Sequence, residues 1–283
     1  MLSKELIKHL ENLLSEKIIS TKPLSGGDIN EVFILTTNNR ETVVKINSAS
    51  NFPRMFKAET RGLQELIDAN IFKIPEVLLF GKVADVSFLL LEYIESGNKA
   101  QDFWSIFGEQ LANLHQQSNP YFGFESDNYI GSLPQYNSKY SSASEFYITQ
   151  RLQPQFEMAI KRGFSFSGLD SFYVAIENEI PDEASSLIHG DLWSGNFLID
   201  INGSPCLIDP AVAYAPREMD ISMMHLFGGF EYELFEVYND IFPLVDGWKT
   251  RMEIWQLYYL LVHLNLFGIS YYNGVKSIVG RYS

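Results

Sequence analysis

The octapeptide His189-Gly190-Asp191-Leu192-Trp193-Ser194-Gly195-Asn196 spaces a carboxylate and a carboxamide as D-x-x-x-x-N, and a second carboxylate, Asp209, follows two short apolar runs. Moving a phosphoryl group onto a hydroxyl requires a side chain that accepts or orients the hydroxyl proton. It also requires oxygen ligands that hold metal against the phosphates. Asp191 suits the first task, and Asn196 and Asp209 the second. The runs FLID and PCLID flank Ile201-Asn202-Gly203-Ser204, and Asn-Gly is a strong hairpin signal. A hairpin there would return Asp209 close to Asn196. Two oxygen ligands suit Mg²⁺, which keeps waters and takes further ligands from phosphate. A lone His-Gly-Asp could equally cap a turn. The correctly spaced Asn196, the hairpin and Asp209 together favour catalysis, because the same spacing marks the catalytic loop of kinases.

Other residues point to the nucleotide that such chemistry needs. Lys45 interrupts the apolar run VVKIN. A lysine in such a strand can contact the α- and β-phosphates, and Glu59 downstream is placed to hold it. Taken alone, Lys45 would read as an edge-strand lysine facing solvent. In Leu24-Ser25-Gly26-Gly27-Asp28, Gly26 and Gly27 would let backbone approach phosphates closely. They also fit a plain turn, since the segment is neither G-x-G-x-x-G nor a Walker A loop. Leu91-Glu92-Tyr93-Ile94 ends an apolar strand. The backbone of Glu92, Tyr93 and Ile94 could read adenine, or simply close a buried strand.

These residues need elements to hold them. Leu6, Ile7, Leu10, Leu13 and Leu14 recur at helical spacing. EVFILTT and ETVVKIN flank Asn38-Asn39-Arg40 and predict a hairpin. MFKAETRGLQELIDA predicts a helix, and EVLLFGK and VSFLLLEYI two more strands. The character changes at Glu95-Ser96-Gly97-Asn98, after which FWSIFGEQLANLHQQ, SASEFYITQRLQPQFEMAIKRG and Glu253 to Leu266 look helical. The expected architecture is α+β and bilobal. A strand-rich nucleotide-binding lobe would span 1–94, and a mainly helical catalytic and acceptor-binding lobe, carrying the isolated hairpin, 95–283. A nucleotide cleft between two lobes is the natural reading of that layout.

Bulk composition sets limits. With 283 residues, 46% hydrophobic and 20% charged, the chain can bury a sizeable core. A formal net charge of −14 repels phosphate backbones and anionic lipid, so nucleic acid and membrane surfaces are poor partners. A single cysteine, Cys206, excludes an intrachain disulfide framework and fits a reducing compartment; it reads as a small buried hydrophobe. The five histidines lack zinc-site spacing. The first segment lacks the apolar core of a signal peptide, and cytoplasmic localisation is expected.

The whole pattern resembles the fructosamine-kinase (ketosamine-kinase) family, a branch of the protein-kinase-like fold near the aminoglycoside and choline kinases. HGDLWSGN is similar to that branch's catalytic loop. GEQLANLHQ, FGFESDNYIGSLPQYN, EFYITQRLQPQ, PREMDISMMHLFGGF and HLNLFGISYYNGV extend the resemblance from Leu24 to the end. The resemblance implies ATP and Mg²⁺, Asp191 as catalytic base, Asn196 and Asp209 as metal ligands, and Lys45 paired with Glu59. It implies a ketoamine or glycated amine as the acceptor, phosphorylated on the sugar 3-hydroxyl, and a monomeric enzyme is expected. Asp209-Pro210-Ala211 replaces the Asp-Phe-Gly of protein kinases, and no Ala-Pro-Glu closes an activation loop. Ala213 to Glu218 replaces the glycine-containing turn more usual in the family, a departure that bears on the local shape of the acceptor side and not on the phosphotransfer core.

A neutral polyol needs hydrogen-bonding side chains and a flat wall, for which Asn128, Gln135, Asn137 and Trp193 are the candidates; Trp193 could equally pack under the loop. Glu218 and Asp220 read as supports of the catalytic loop, bonded to backbone or Arg217, rather than as further catalysts. His115 and His225 read as packed or capping residues. Two alternatives stand beside a ketosamine kinase: a kinase for another amine or amino sugar, aminoglycoside- or choline-like, and a non-catalytic nucleotide-binding regulator.

Overall fold

The computed structural model describes residues 2–24 and 29–282. Gly26 and Gly27 lie outside the described residues. The chain divides into two units, Met1–Lys99 with Leu198–Ile208, and Ala100–Phe197 with Asp209–Ser283.

The first unit opens with α1 (Lys4–Leu14), whose first turn is capped by Ser3 Oγ accepting from the Leu6 amide at 3.1 Å. Then come β1 (Ser20–Leu24), β2 (Glu31–Thr36), β3 (Glu41–Ser48), α2 (Met55–Ala69), β4 (Val77–Val83) and β5 (Val86–Glu92). The strands form one antiparallel sheet in the order β1-β2-β3-β5-β4. Leu6 and Leu10 pack against Leu35, Val44, Phe88 and Leu90. Successive strand side chains point to opposite faces. With Val44 buried in this core, the pleat turns Lys45 to the other face, where it meets Glu59 of α2. The edge strand β1 carries Lys22 and Pro23 and is mostly exposed. Such a strand shows no apolar alternation, and none was expected there.

The second unit is mostly helical. It holds α3 (Phe103–His115), the short pair β6 (Asn128–Ile130) and β7 (Leu133–Gln135), and α4 (Ala143–Phe146). A π-helical turn, Tyr147–Leu152, leads into α5 (Gln153–Lys161), followed by α6 (Leu169–Glu179) and β8 (Ser186–Ile188). The hairpin β9 (Phe197–Ile199) and β10 (Pro205–Leu207) comes next in the chain, then β11 (Ala213–Ala215), α7 (Glu218–Phe227), α8 (Tyr232–Ile241), α9 (Trp248–Phe267) and α10 (Tyr272–Tyr282). The long α9 is buried on most sides. Its Trp255, Leu257, Tyr258 and Leu261 share a core with Phe146, Tyr147, Phe156, Phe172, Ile176 and Val275. A helix apolar nearly all round is an interior helix. No helix of the described residues is long and apolar enough to cross a membrane.

The expected boundary moves in two respects. The hairpin was assigned to the helical lobe, but Leu198–Ile208 belongs with the first unit. Backbone pairing accounts for this. Leu207 N–H donates to Lys73 O at 3.0 Å and Gly97 N–H to Ile199 O at 3.0 Å, and isolated bridges join Lys73 to Cys206 and Ser96 to Asp200. The strand-rich segment accordingly runs on to Lys99, past the expected break at 94.

Candidate active site

The loop bearing Asp191 is held from below by a single carboxylate. Asp220, in the first turn of α7 and fully buried, accepts the His189 amide at 2.7 Å through Oδ2 and the Gly190 amide at 2.8 Å through Oδ1. His115 of α3 lies 3.3 Å from the same Oδ2, and its Nδ1 is 2.9 Å from Tyr238 Oη of α8. If Nε2 donates to the carboxylate, the tautomer leaves Nδ1 to accept from the tyrosine. Three helices thereby converge on two backbone amides. From α9, Tyr259 Oη donates to Gly190 O at 3.1 Å.

Gly190 takes a left-handed φ of +80°, and a Cβ there would stand 2.2 Å from Ala211 O. Only glycine permits both. The segment around Ala211 is tied back by its own amide to His189 O at 2.9 Å, beside the antiparallel pair β8–β11. Asp191 follows directly. Asn196 Nδ2 donates to Asp191 O at 2.7 Å and to Asp191 Oδ2 at 3.1 Å. The carboxamide is thereby oriented, with both N–H bonds spent on Asp191 and Oδ1 left as its remaining acceptor. Burial pushes the Asp191 carboxyl up to about 7; the Asn196 bond opposes the rise, and the charges of Asp209 and Asp220 add to it. A cation bound nearby would pull it back down. Asp209 itself has a left-handed φ of 56°, a conformation that Asp tolerates better than most residues.

Trp193 is 41% exposed. Its ring lies so close over Gly195 that a Cβ there would stand 2.3 Å from the indole. Gly195 thus lets the indole lie flat on the loop while leaving part of the ring open. The neighbouring Ser194 is met by Gly229, whose φ is +90° and whose Cβ would fall 2.5 Å from Ser194 Cβ.

The expected acceptor residues Asn128, Gln135 and Asn137 are placed otherwise. All three are buried and bonded to protein. Gln135 Nε2 donates to Asn128 Oδ1 at 2.8 Å and Ala211 O at 3.0 Å, while its Oε1 accepts from Tyr258 Oη at 2.8 Å. Asn128 Nδ2 donates to Val212 O at 2.9 Å. Asn137 donates to Ser126 O and Asn128 Oδ1 and accepts from Arg151 at 2.8 Å. Their hydrogen bonds hold the chain beyond Asp209 rather than facing a polyol. Glu218 also departs from expectation: it accepts from Arg251 at 2.6 and 2.8 Å and from Trp255 Nε1 at 2.7 Å, anchoring α9. Arg217 turns instead to Glu183 and to the carbonyls of Phe242 and Pro243.

In the first unit, Lys45 Nζ is 2.5 Å from Glu59 Oε1, with both side chains nearly buried. Glu92 is engaged on two sides: its carboxylate accepts from Lys73 at 2.8 Å, and its amide donates to Glu76 O at 2.9 Å. That amide is spent within the sheet. Tyr93 and Ile94 follow the last ladder residue, so the adenine-reading expectation rests on their backbone alone. His115 is a loop support, and His225 stacks on Phe235 at 4.2 Å.

The donor chemistry fits a divalent cation. Asn196 Oδ1 and the Asp209 carboxylate are hard oxygen donors of the kind Mg²⁺ accepts, and that ion takes most of its shell from water and phosphate. No group of three or more His, Cys, Asp or Glu residues could form an all-protein metal cage among the described residues.

The family model for fructosamine kinase matches residues 2–282. A probable ketoamine kinase of Enterococcus faecium is 38% identical, the alignment covering 96% of this chain and 99% of that one. The chloroplastic protein-ribulosamine 3-kinase of Oryza sativa subsp. japonica is 34% identical, over 94% of this chain and 79% of its own. A crystal structure from Haemophilus somnus, named provisionally as a fructosamine-3-kinase, superposes with a TM-score of 0.89 at 28% identity, covering 99% and 97% of the two chains. An aminoglycoside phosphotransferase shares the fold at a TM-score of 0.63 and 16% identity, over the full length of both.

Proposed function

We propose that this chain, which belongs to the fructosamine kinase family, transfers the terminal phosphoryl group of ATP to the sugar 3-hydroxyl of ketosamines. The observation that carries the reading is the half-buried Asp191, oriented by Asn196 on a loop that Asp220 and Tyr259 hold. In that position the carboxylate takes the proton of the acceptor hydroxyl as its oxygen bonds to phosphorus and ADP departs. Asn196 Oδ1 and Asp209 would hold Mg²⁺, which supplies charge neutralisation on the phosphates. Lys45, steadied by Glu59, grips the α- and β-phosphates. The exposed part of the Trp193 ring offers the flat wall a sugar needs. The names of the Enterococcus and rice relatives, a ketoamine kinase and a ribulosamine 3-kinase, support this acceptor and this hydroxyl. The enzyme acts as a cytoplasmic monomer, and its net charge of −14 disfavours nucleic acid as a partner.

The test is product formation from ATP, Mg²⁺ and lysine-linked ribulosamine, erythrulosamine or fructosamine, with choline and an aminoglycoside alongside. A phosphate on the 3-oxygen of at least one ketosamine is the expected result. Phosphorylation of choline or the aminoglycoside, with all three ketosamines untouched, would overturn the substrate assignment.

A further inference from the structure

One aromatic cluster of the second unit plays no part in the chemistry above. His263 of α9 stands at its centre, with ring centroids 4.8 Å from Phe227, 5.4 Å from Phe267 and 5.1 Å from Tyr271. It is not sealed: Phe267 is 53% exposed, and Ile269 beyond it 76%. Two independent links tie it to the catalytic loop. Tyr259, which donates to Gly190 O, and His263 are four residues apart on α9, one turn along one face. Phe227 ends α7 and leads into Gly228-Gly229, where Gly229 presses on Ser194.

We infer that Phe227, His263, Phe267 and Tyr271 form the subsite for the amine nitrogen of the ketosamine and the first carbons attached to it. The inference rests on the ketosamine reading and adds to it the part of the substrate beyond the sugar. In a ketosamine the nitrogen sits on C1 and the reacting hydroxyl on C3, so nitrogen and hydroxyl are separated by three intervening carbons. With the hydroxyl at Asp191, the nitrogen must fall within about a helical turn of the loop, ~5 Å, and the loop is where Tyr259, one turn from His263, and Gly229, two residues after Phe227, make contact.

The chemistry of the cluster matches a secondary ammonium, which carries one positive charge and two N–H donors. Aromatic faces attract cations, more strongly where water is partly excluded. His263 supplies an acceptor. Its Nδ1 is 2.8 Å from Tyr259 O, and a carbonyl only accepts, so Nδ1 carries the proton and the neutral ring presents the Nε2 lone pair. Burial holds this imidazole below its usual pKa, favouring the neutral form. The exposed Phe267 and Ile269 then lie where the carbon chain of the amine would leave the site.

The experiment compares two acceptors that share sugar and hydroxyl: 1-deoxy-1-(methylamino)fructose, a cation, and its neutral ether counterpart, 1-O-methylfructose. Wild-type enzyme is expected to prefer the amine. Phe267→Ala removes a half-exposed wall, and His263→Phe keeps a ring but deletes the acceptor. Each is expected to lower the amine-to-ether ratio of kcat/KM about tenfold, mainly through KM for the amine. Thermal melting confirms that each variant is folded. An unchanged ratio in both folded variants, or equal use of amine and ether by wild-type enzyme, sinks the subsite while leaving the kinase reading in place. A wild-type enzyme that phosphorylates neither compound removes the ketosamine reading and the subsite together.

Discussion

Asp220 and Gly190, thirty residues apart in sequence, are joined by a 2.8 Å bond from a backbone amide to a fully buried carboxylate, which also takes the adjacent His189 amide. The geometry of the loop that carries Asp191, the proposed base, is thereby set by a residue outside that loop. Hydrogen bonds to a buried charge are among the stronger ones, and their loss leaves the donors unsatisfied.

Asp220→Ala is therefore expected to cost about 3–5 kcal/mol of folding stability, read from the denaturant midpoint. Turnover should fall in the protein that remains folded. A variant as stable as wild type would show that the loop is held by Tyr259 and the β8–β11 pairing without this carboxylate.

Asp191→Asn keeps the shape of the side chain and removes the proposed base. Turnover is expected to fall about 10²–10⁴-fold, with nucleotide affinity and melting temperature close to wild type. Wild-type kcat in this variant is incompatible with proton transfer to Asp191.

How far these features could be read in advance depended on how local their causes are. The spacing of Met55, Ala58, Leu63, Leu66 and Ile67 marks α2; Met55, Leu63 and Leu66 are buried, while Ala58 and Ile67 are half-buried. The Lys45–Glu59 pair follows from a lysine in an apolar strand and a helix after it. The polar side chains of Asn128, Gln135 and Asn137 were different: residue type suggests solvent or ligand, and only tertiary contacts with Ala211, Val212, Tyr258 and Arg151 reveal a buried network. Asp220 had a visible role as a support, but its partner His115 lies too far away in sequence for any periodicity to connect them. The hairpin was legible from Asn202-Gly203, yet its membership of the first unit depends on pairing with Lys73 and Gly97.

Lys45→Met should lower kcat/KM for ATP by about 10–100-fold, the worth of one charge-assisted contact. It also removes the lysine 2.5 Å from the nearly buried Glu59 carboxylate, so the single variant is expected to lose stability as well. Adding Glu59→Gln removes the charge that Lys45 offset and should recover stability without recovering ATP use. Recovery of both by the double variant would make the pair structural and nothing more.

Asp209→Asn tests the metal ligand with little backbone penalty, because Asn accepts the left-handed φ of 56° found here. The charge is lost while an oxygen remains. The Mg²⁺ concentration for half-maximal activity is expected to rise and the maximal rate to fall. A variant with an unaltered Mg²⁺ titration places the cation elsewhere.

Gln135→Leu separates a structural network from a substrate contact. The side chain donates to Asn128 and Ala211 and accepts from Tyr258. Its removal leaves a buried carbonyl and a buried hydroxyl short of partners, at a cost of about 2–4 kcal/mol. Ala211 O also lies 2.2 Å from where a Cβ on Gly190 would stand, so the segment packed against the Asp191 loop loses one of its ties. The expected signature is a lower melting temperature and a lower kcat, with KM for the ketosamine little changed. A raised KM at unchanged stability would return Gln135 to the acceptor site, since a residue that binds substrate moves KM whether or not it supports the fold.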